Sequence, residues 1–314
     1  MDTRDTPSAD LAASVAGLRF YSRLWPNLHH VLYAAAWQRR AVAADGALRS
    51  PMARLPAALA DTLTPEDTAT WHAAISYYDE HLASKDLLFS PDMMRLNQAL
   101  AVADLDGDQV PARLAQTLHA VEPIYRRQFW PGHDAVNRAW IADASARLAD
   151  VAPTAVPRLE ALYGENWHSP VAVDAVWVGR YEGAYTVLDP DHTTVSTTAA
   201  ALTGWAAAEI LLHEASHLLV GGLAAELAAA LGGRSGEHAV LWHTILFFLT
   251  GTVTVDVLAE RGVGYVPYLD ATGLFDRAWP HYRRPVQTAW MPYVRGECTR
   301  SHAIAETVRM LGEA

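Results

Sequence analysis

His213 and His217 stand four residues apart with a carboxylate between them, in the run His213-Glu214-Ala215-Ser216-His217. On a helix that spacing puts both imidazoles on one face, a turn apart, where they can grip a single ion. Glu214 is rotated off that line by one residue. It can take a proton from a water activated at the ion without itself ligating. Apolar sequence encloses the run, Ile210-Leu211-Leu212 before it and Leu218-Leu219-Val220 after it. Two imidazoles and a carboxylate in a buried segment need a partner, because unpaired polar groups are costly to bury.

A metal site of this kind needs a third protein ligand. The segment Ser235-Gly236-Glu237-His238-Ala239-Val240-Leu241-Trp242-His243 offers three. His243, expected two turns into the next helix among apolar residues, is preferred; Glu237, 20 residues beyond His217, and its neighbour His238 stay open. Glu209, four residues before His213, either supports an imidazole as a hydrogen-bond acceptor or faces solvent. Tyr268, with Tyr265 as the alternative, is the expected donor to a developing oxyanion, because Pro267 fixes the loop between them. Arg283, Arg284, Arg295 and Arg300 are either anchors for a carboxylate or phosphate, or surface residues in ordinary ion pairs.

The H-E-x-x-H run resembles that of the zincin metallopeptidases, and the spacing to Glu237 resembles the thermolysin-like gluzincins. The metzincin extension is absent, since Val220 and Leu223 occupy its glycine and histidine positions. Leu241-Trp242-His243, the aromatic pair Phe247-Phe248, Tyr265-Val266-Pro267-Tyr268 and Gly273-Leu274-Phe275 together resemble a group of uncharacterised bacterial H-E-x-x-H proteins, over roughly residues 170–295. The match departs at Thr250 and Gly251, which are adjacent here and separated in that pattern. The resemblance implies a metal site without naming a substrate. Zinc would be held by His213, His217 and His243, with Glu214 as general base in the hydrolysis of a peptide or amide bond. Two rivals belong to other classes. One is an Fe(II)/2-oxoglutarate oxygenase on the same ligands, with the arginines holding the cosubstrate. The other is a non-catalytic helical binding protein in which the motif is incidental or holds a structural metal.

These residues must be positioned by their elements. Before about residue 155 the pattern is helical, with runs at 66–78, 90–102, 110–125 and 134–151, and Pro51, Pro56, Pro65, Pro91, Pro153 and Pro157 as punctuation. Thr64-Pro65 and Ser90-Pro91 read as N-cap followed by Pro at the first helical position. After Pro170, runs at 171–178, 184–188 and 193–197 read as three short antiparallel strands, with Asp189-Pro190-Asp191 as a turn. A long helix is expected over 199–231, stopped by Gly232-Gly233, then another from about Ser235, loops around Pro267, Pro280 and Pro292, and a terminal helix from about Ser301. The expected fold is α+β and mostly α: a helical domain at 1–155 packed on a zincin-like metal-binding catalytic domain at 156–314, with a small antiparallel sheet and the motif helix.

Composition bounds the rest. The chain has 314 residues, 51% hydrophobic, with a net charge of −11 and one cysteine, Cys298. An acidic surface repels phosphate backbones, so nucleic acid is not an expected partner. A single cysteine forms no internal disulfide and no cysteine cluster. The start, Met1 to Thr6, is not a secretory signal, and no uninterrupted apolar run of membrane-spanning length is expected, which gives a cytoplasmic reading without a membrane. Asp104-Leu105-Asp106-Gly107-Asp108 imitates a calcium loop, but Gln109 and Ala115 stand where glycine and glutamate are needed. His29-His30 has no ligand-spaced partner and is expected to be structural. Gly221-Gly222 and Gly232-Gly233 lack the strand and helix that make a phosphate loop.

Overall fold

A computed structural model describes residues 10–45, 63–179, 183–189 and 191–312. The segment Met1–Thr6 and the prolines Pro51, Pro56 and Pro190 lie outside the described residues. The chain opens not with a helix but with two strands, β1 (Leu11–Val15) and β2 (Leu18–Tyr21), before α1 (Leu24–Asp45). This corrects the helix-only expectation for the N-terminal part. Leu18, Tyr21 and Leu24 fit a helical spacing, but Leu18 and Phe20 are buried and Arg19 and Tyr21 only partly so, which is the alternation of a strand. Ala16 and Gly17 both take positive φ, 51° and 79°, as a tight two-residue hairpin turn requires.

Four helices follow: α2 (Pro65–His81), α3 (Pro91–Ala101), α4 (Ala112–Gln128) and α5 (Trp130–Tyr163). Thr64 caps α2, its hydroxyl accepting from Asp67 N at 3.1 Å, whereas Ser90 makes no side-chain cap on α3. Pro153 and Pro157 lie inside α5 rather than ending it. Each removes a backbone donor, yet Leu148, Val151, Ala152, Ala155, Leu159 and Tyr163 recur at helical spacing and are all buried, so packing carries the helix through.

Next come β3 (Val171–Val176), β4 (Ala184–Leu188) and β5 (Asp191–Ser196). The sheet has five strands in the order β1-β2-β3-β5-β4 and is mixed, not antiparallel. The β4–β5 pair is antiparallel, as is β1–β2 across its two-residue turn, whereas β2–β3 and β3–β5 are parallel. The turn residues after Leu188 reveal the β4–β5 hairpin. They do not reveal that β5 inserts between β3 and β4, which makes it parallel to β3.

By its contacts the chain divides into two interleaved units. The first takes the chain up to Ser14 with Leu18–Asp143 and Pro170–Leu202; the second takes Val15–Gly17, Ala144–Ser169 and Thr203–Ala314. The line thus falls within α5, not at 155, and β3 to β5 belong with the N-terminal strands. Registered pairing of Leu18 to Tyr21 with Val171 to Asp174 is the reason. In the first unit Asn27 fastens α1 to the end of β3. Its amide donates to Arg23 O and Ala175 O, and its oxygen accepts from Trp177 N and Asn137 Nδ2, at 2.7–3.0 Å.

The second unit is helical: α6 (Trp205–Ser216), α7 (Gly221–Leu231), α8 (Leu241–Ala259), the short α9 (Tyr268–Ala271) and α10 (Leu274–Ala278), α11 (Pro280–Val294) and α12 (Arg300–Gly312). The single helix expected over 199–231 is two, bent by 69° at their junction. Ser216 Oγ donates back to Leu212 O at 2.7 Å, a bond that bends helices. The amides of His217, Leu218 and Leu219 then bond three residues back instead of four. Gly232, at φ 55°, ends α7 as expected. Helix α8 begins at Leu241 rather than near Ser235, so His243 lies in its first turn and not its second. Helix α11 occupies a stretch read as loop, with Pro280 at its start and Pro285 and Pro292 inside. Among the described residues α8 is long and apolar enough on average to cross a membrane by length and composition, although His243, its threonines and Asp256 interrupt the apolar run; 72% of that stretch is buried inside the fold.

Candidate metal centre

Helix α6 delivers His213 and Glu214 from its last turn, and His217 follows at its C-terminal end with helical angles, φ −56° and ψ −29°. The tightened turn therefore keeps the spacing that the motif needs. The two imidazoles meet edge to face, 5.0 Å between centroids. Helix α8 brings His243 from its first turn against both, at centroid distances of 5.2 Å from His213 and 5.1 Å from His217. One ligand atom from each of the three lies within 4.8 Å of the others.

His213 Nε2 and His243 Nε2 are 3.2 Å apart. Two imidazole nitrogens at about 2.0–2.1 Å from a tetrahedral zinc stand roughly 3.3 Å from each other, so the pair fits that ion without rearrangement. Burial sets the protonation these atoms need. Desolvation, reinforced by the neighbouring imidazoles, holds His213 far below the usual histidine range. Desolvation lowers His217 to about 3 and His243 to about 4. Three neutral rings with a nitrogen of each in one cluster are a donor set that could hold a metal ion. The carboxyl group of Glu214, 5% exposed, has Oε2 3.9 Å from His217 Nε2.

Aromatic rings wall the cluster. Phe247, one turn beyond His243 on α8, stacks on His213 at 3.7 Å. Trp242 meets His217 edge on at 5.7 Å, and Trp279 meets His243 at 5.8 Å. Such walls lower the local dielectric and strengthen charge interactions inside. Sequence reasoning noted Phe247 only as part of an aromatic pair with Phe248 and overlooked Trp279. Phe247 carried a signal, its four-residue spacing from His243; Trp279, from a separate segment, carried none.

The other expected residues go to varied places. Glu237 is exposed in the turns before α8, and His238 Nδ1 is 3.1 Å from Tyr282 OH, so neither joins the cluster. Glu209 neither faces solvent nor reaches an imidazole. It is 1% exposed, and its Oε2 accepts from Tyr265 OH at 2.6 Å and from Tyr268 N at 3.0 Å. Desolvation raises its pKa to about 7 against the lowering effect of those two bonds. Tyr265 therefore spends its hydroxyl proton on Glu209. Tyr268 opens α9 with its ring parallel to Phe247, 6.0 Å away, in a stack that continues to His213. Of the arginines, Arg283 pairs with Asp276 and Arg300 with Glu226, while Arg284 is exposed and Arg295 lines a cavity described below. In the first unit the expected structural role of His29 and His30 has a geometry: His29 Nδ1 meets Tyr78 OH, and His30 bonds Pro26 O and Tyr185 OH.

The chain matches no family model, no curated protein and no solved structure. The site is therefore read from its own geometry.

Proposed function

We propose that the protein is a zinc-dependent hydrolase that cleaves a peptide or amide bond. The observation that carries this reading is the convergence of His213, His217 and His243 beside Glu214. Bound by these three imidazoles, zinc supplies Lewis-acid polarisation of the scissile carbonyl and a lowered pKa for water. Glu214 takes the proton of the attacking water on its carboxylate and hands it to the leaving nitrogen. In support of this role, it stands next to the imidazoles but off their line on the motif helix. Tyr268 donates its hydroxyl to the developing oxyanion; Tyr265 is the poorer candidate because its proton is committed to Glu209. Phe247, Trp242 and Trp279 exclude water around the imidazoles.

The test is to load metal-free protein with zinc and screen it against a peptide library. Glu214→Gln keeps the three imidazoles and removes the proton carrier. It is expected to bind zinc as the wild type does and to lose roughly 10²–10⁴-fold in cleavage rate. Cleavage surviving unchanged in Glu214→Gln contradicts the mechanism. Iron in place of zinc, with 2-oxoglutarate turnover, contradicts the reaction.

A further inference from the structure

A cavity of about 400 Å³ lies in the second unit, between α8, α9 and α11. That volume falls within the roughly 300–1,000 Å³ of small-molecule sites. Its apolar walls include Phe247, Leu269 and Met291. Three exposed charged residues also line it: Asp256 on α8, Asp270 on α9 and Arg295 at the C-terminal end of α11.

The charges carry the argument. Ten described arginines pair with a carboxylate, among them Arg283 with Asp276, Arg300 with Glu226 and Arg309 with Glu306, while others such as Arg284, on the same helix as Arg283, do not. Arg295 has none among the described residues, although two aspartates line the same cavity. Charges of both signs thus surround one apolar space without coming within 4.0 Å of each other. A ligand complementary to that arrangement has an apolar body, a carboxylate for the guanidinium fork and an ammonium for the aspartates. We propose that the cavity binds an apolar α-amino acid, free or as the end of a short peptide, with its carboxylate on Arg295.

The cavity also adjoins the metal centre. His243, Phe247, Gly251 and Val255 succeed one another at four-residue intervals along α8; the last three line the cavity, and Phe247 is the ring stacked on His213. As the anchor of a hydrolase substrate the cavity rests on the reading above, and it then selects peptides by a free carboxyl end. As an amino-acid site it stands without that reading.

The experiment is calorimetric titration of L-leucine, L-leucyl-L-leucine and L-leucyl-L-leucinamide into zinc-loaded and metal-free protein. The acid dipeptide is expected to bind at millimolar concentration or tighter, and the amide about tenfold more weakly, the effect of one charge-assisted hydrogen bond. Arg295→Ala should weaken the acid to the level of the amide and leave the amide unchanged. Arg295→Lys should restore part of the loss, and Arg284→Ala, on the same helix, should change nothing. Leucine binding as tightly as the dipeptide identifies a free amino acid as the ligand; a dipeptide at least ten times tighter identifies a peptide end. Equal binding of acid and amide, an unaffected Arg295→Ala, or no binding by any of the three overturns the proposal. Failure of the hydrolase reading shows separately, as absent zinc and absent cleavage with this binding intact.

Discussion

A carboxyl group at the position of Glu209 faces two opposed influences. Burial favours its neutral form, and the donors Tyr265 OH and Tyr268 N favour its charge; burial prevails and the pKa rises to about 7. Because the folded value lies above the ordinary carboxylate value of 4.5, Glu209 stabilises the fold fully below that value, and the contribution disappears as pH rises through about 7. Glu209→Gln keeps an acceptor for both donors and cannot ionise. The melting temperature of the variant relative to wild type is expected to climb between about pH 4.5 and pH 7 and to level off above; a difference that stays flat contradicts this account. At this scale the sequence disclosed His213 and His217 fully, because their relation is local to one helix. It disclosed His243 as one of three candidates, since the choice depends on where α8 starts. The partners of Glu209 were hidden. They lie 56 and 59 residues along the chain, and no local spacing connects them.

Elements are held by few, well-satisfied contacts. Asn27 is 1% exposed and closes four hydrogen bonds between α1, α5 and the end of β3. Asn27→Leu has similar bulk but leaves Ala175 O and Trp177 N without their partner in a dry environment. A loss of about 3 kcal/mol is expected, measured by urea unfolding, with no change in zinc content; a loss under about 0.5 kcal/mol would show that those groups find other partners. Removing the cap of α2 with Thr64→Ala is a milder case, expected to cost about 1 kcal/mol. Element identity was legible wherever apolar spacing was long and regular, as in α2 to α5 and α12. It failed where an override was tertiary. Prolines at 153, 157, 285 and 292 read as breaks but sit within helices. Ser216 gave no sign that its hydroxyl would bend the chain after the motif.

The whole molecule should respond to acid and to metal in calculable directions. In the first unit His30 and His133 are lowered from the usual histidine value to about 4, chiefly by desolvation. A folded pKa below the unfolded one means that their contribution is present above pH 6.5 and is lost as pH falls toward 4. Metal-free protein is accordingly expected to lose stability across that window, with His133→Gln losing less; an equal loss in both contradicts the assignment to His133. If the three imidazoles hold zinc, they do so only in their folded arrangement. Zinc should then raise the apparent stability by about 2.7 kcal/mol when free zinc is a hundredfold above its dissociation constant. At this scale the α+β, mostly helical class was visible from the sequence, but the interleaving of the units was not. Strand pairing between Leu18–Tyr21 and Val171–Asp174 bridges some 150 residues, and single-sequence patterning cannot register partners over such a distance.

The central claim is that His213, His217 and His243 hold one metal ion. The most direct measurement is the metal content of protein purified without added metal, for wild type, His217→Ala and His243→Ala. About one zinc per chain in the wild type and none in either variant is the result this account predicts. Zinc retained in His243→Ala would contradict the third ligand, and wild-type protein that takes up no metal even when zinc is supplied would contradict the site itself.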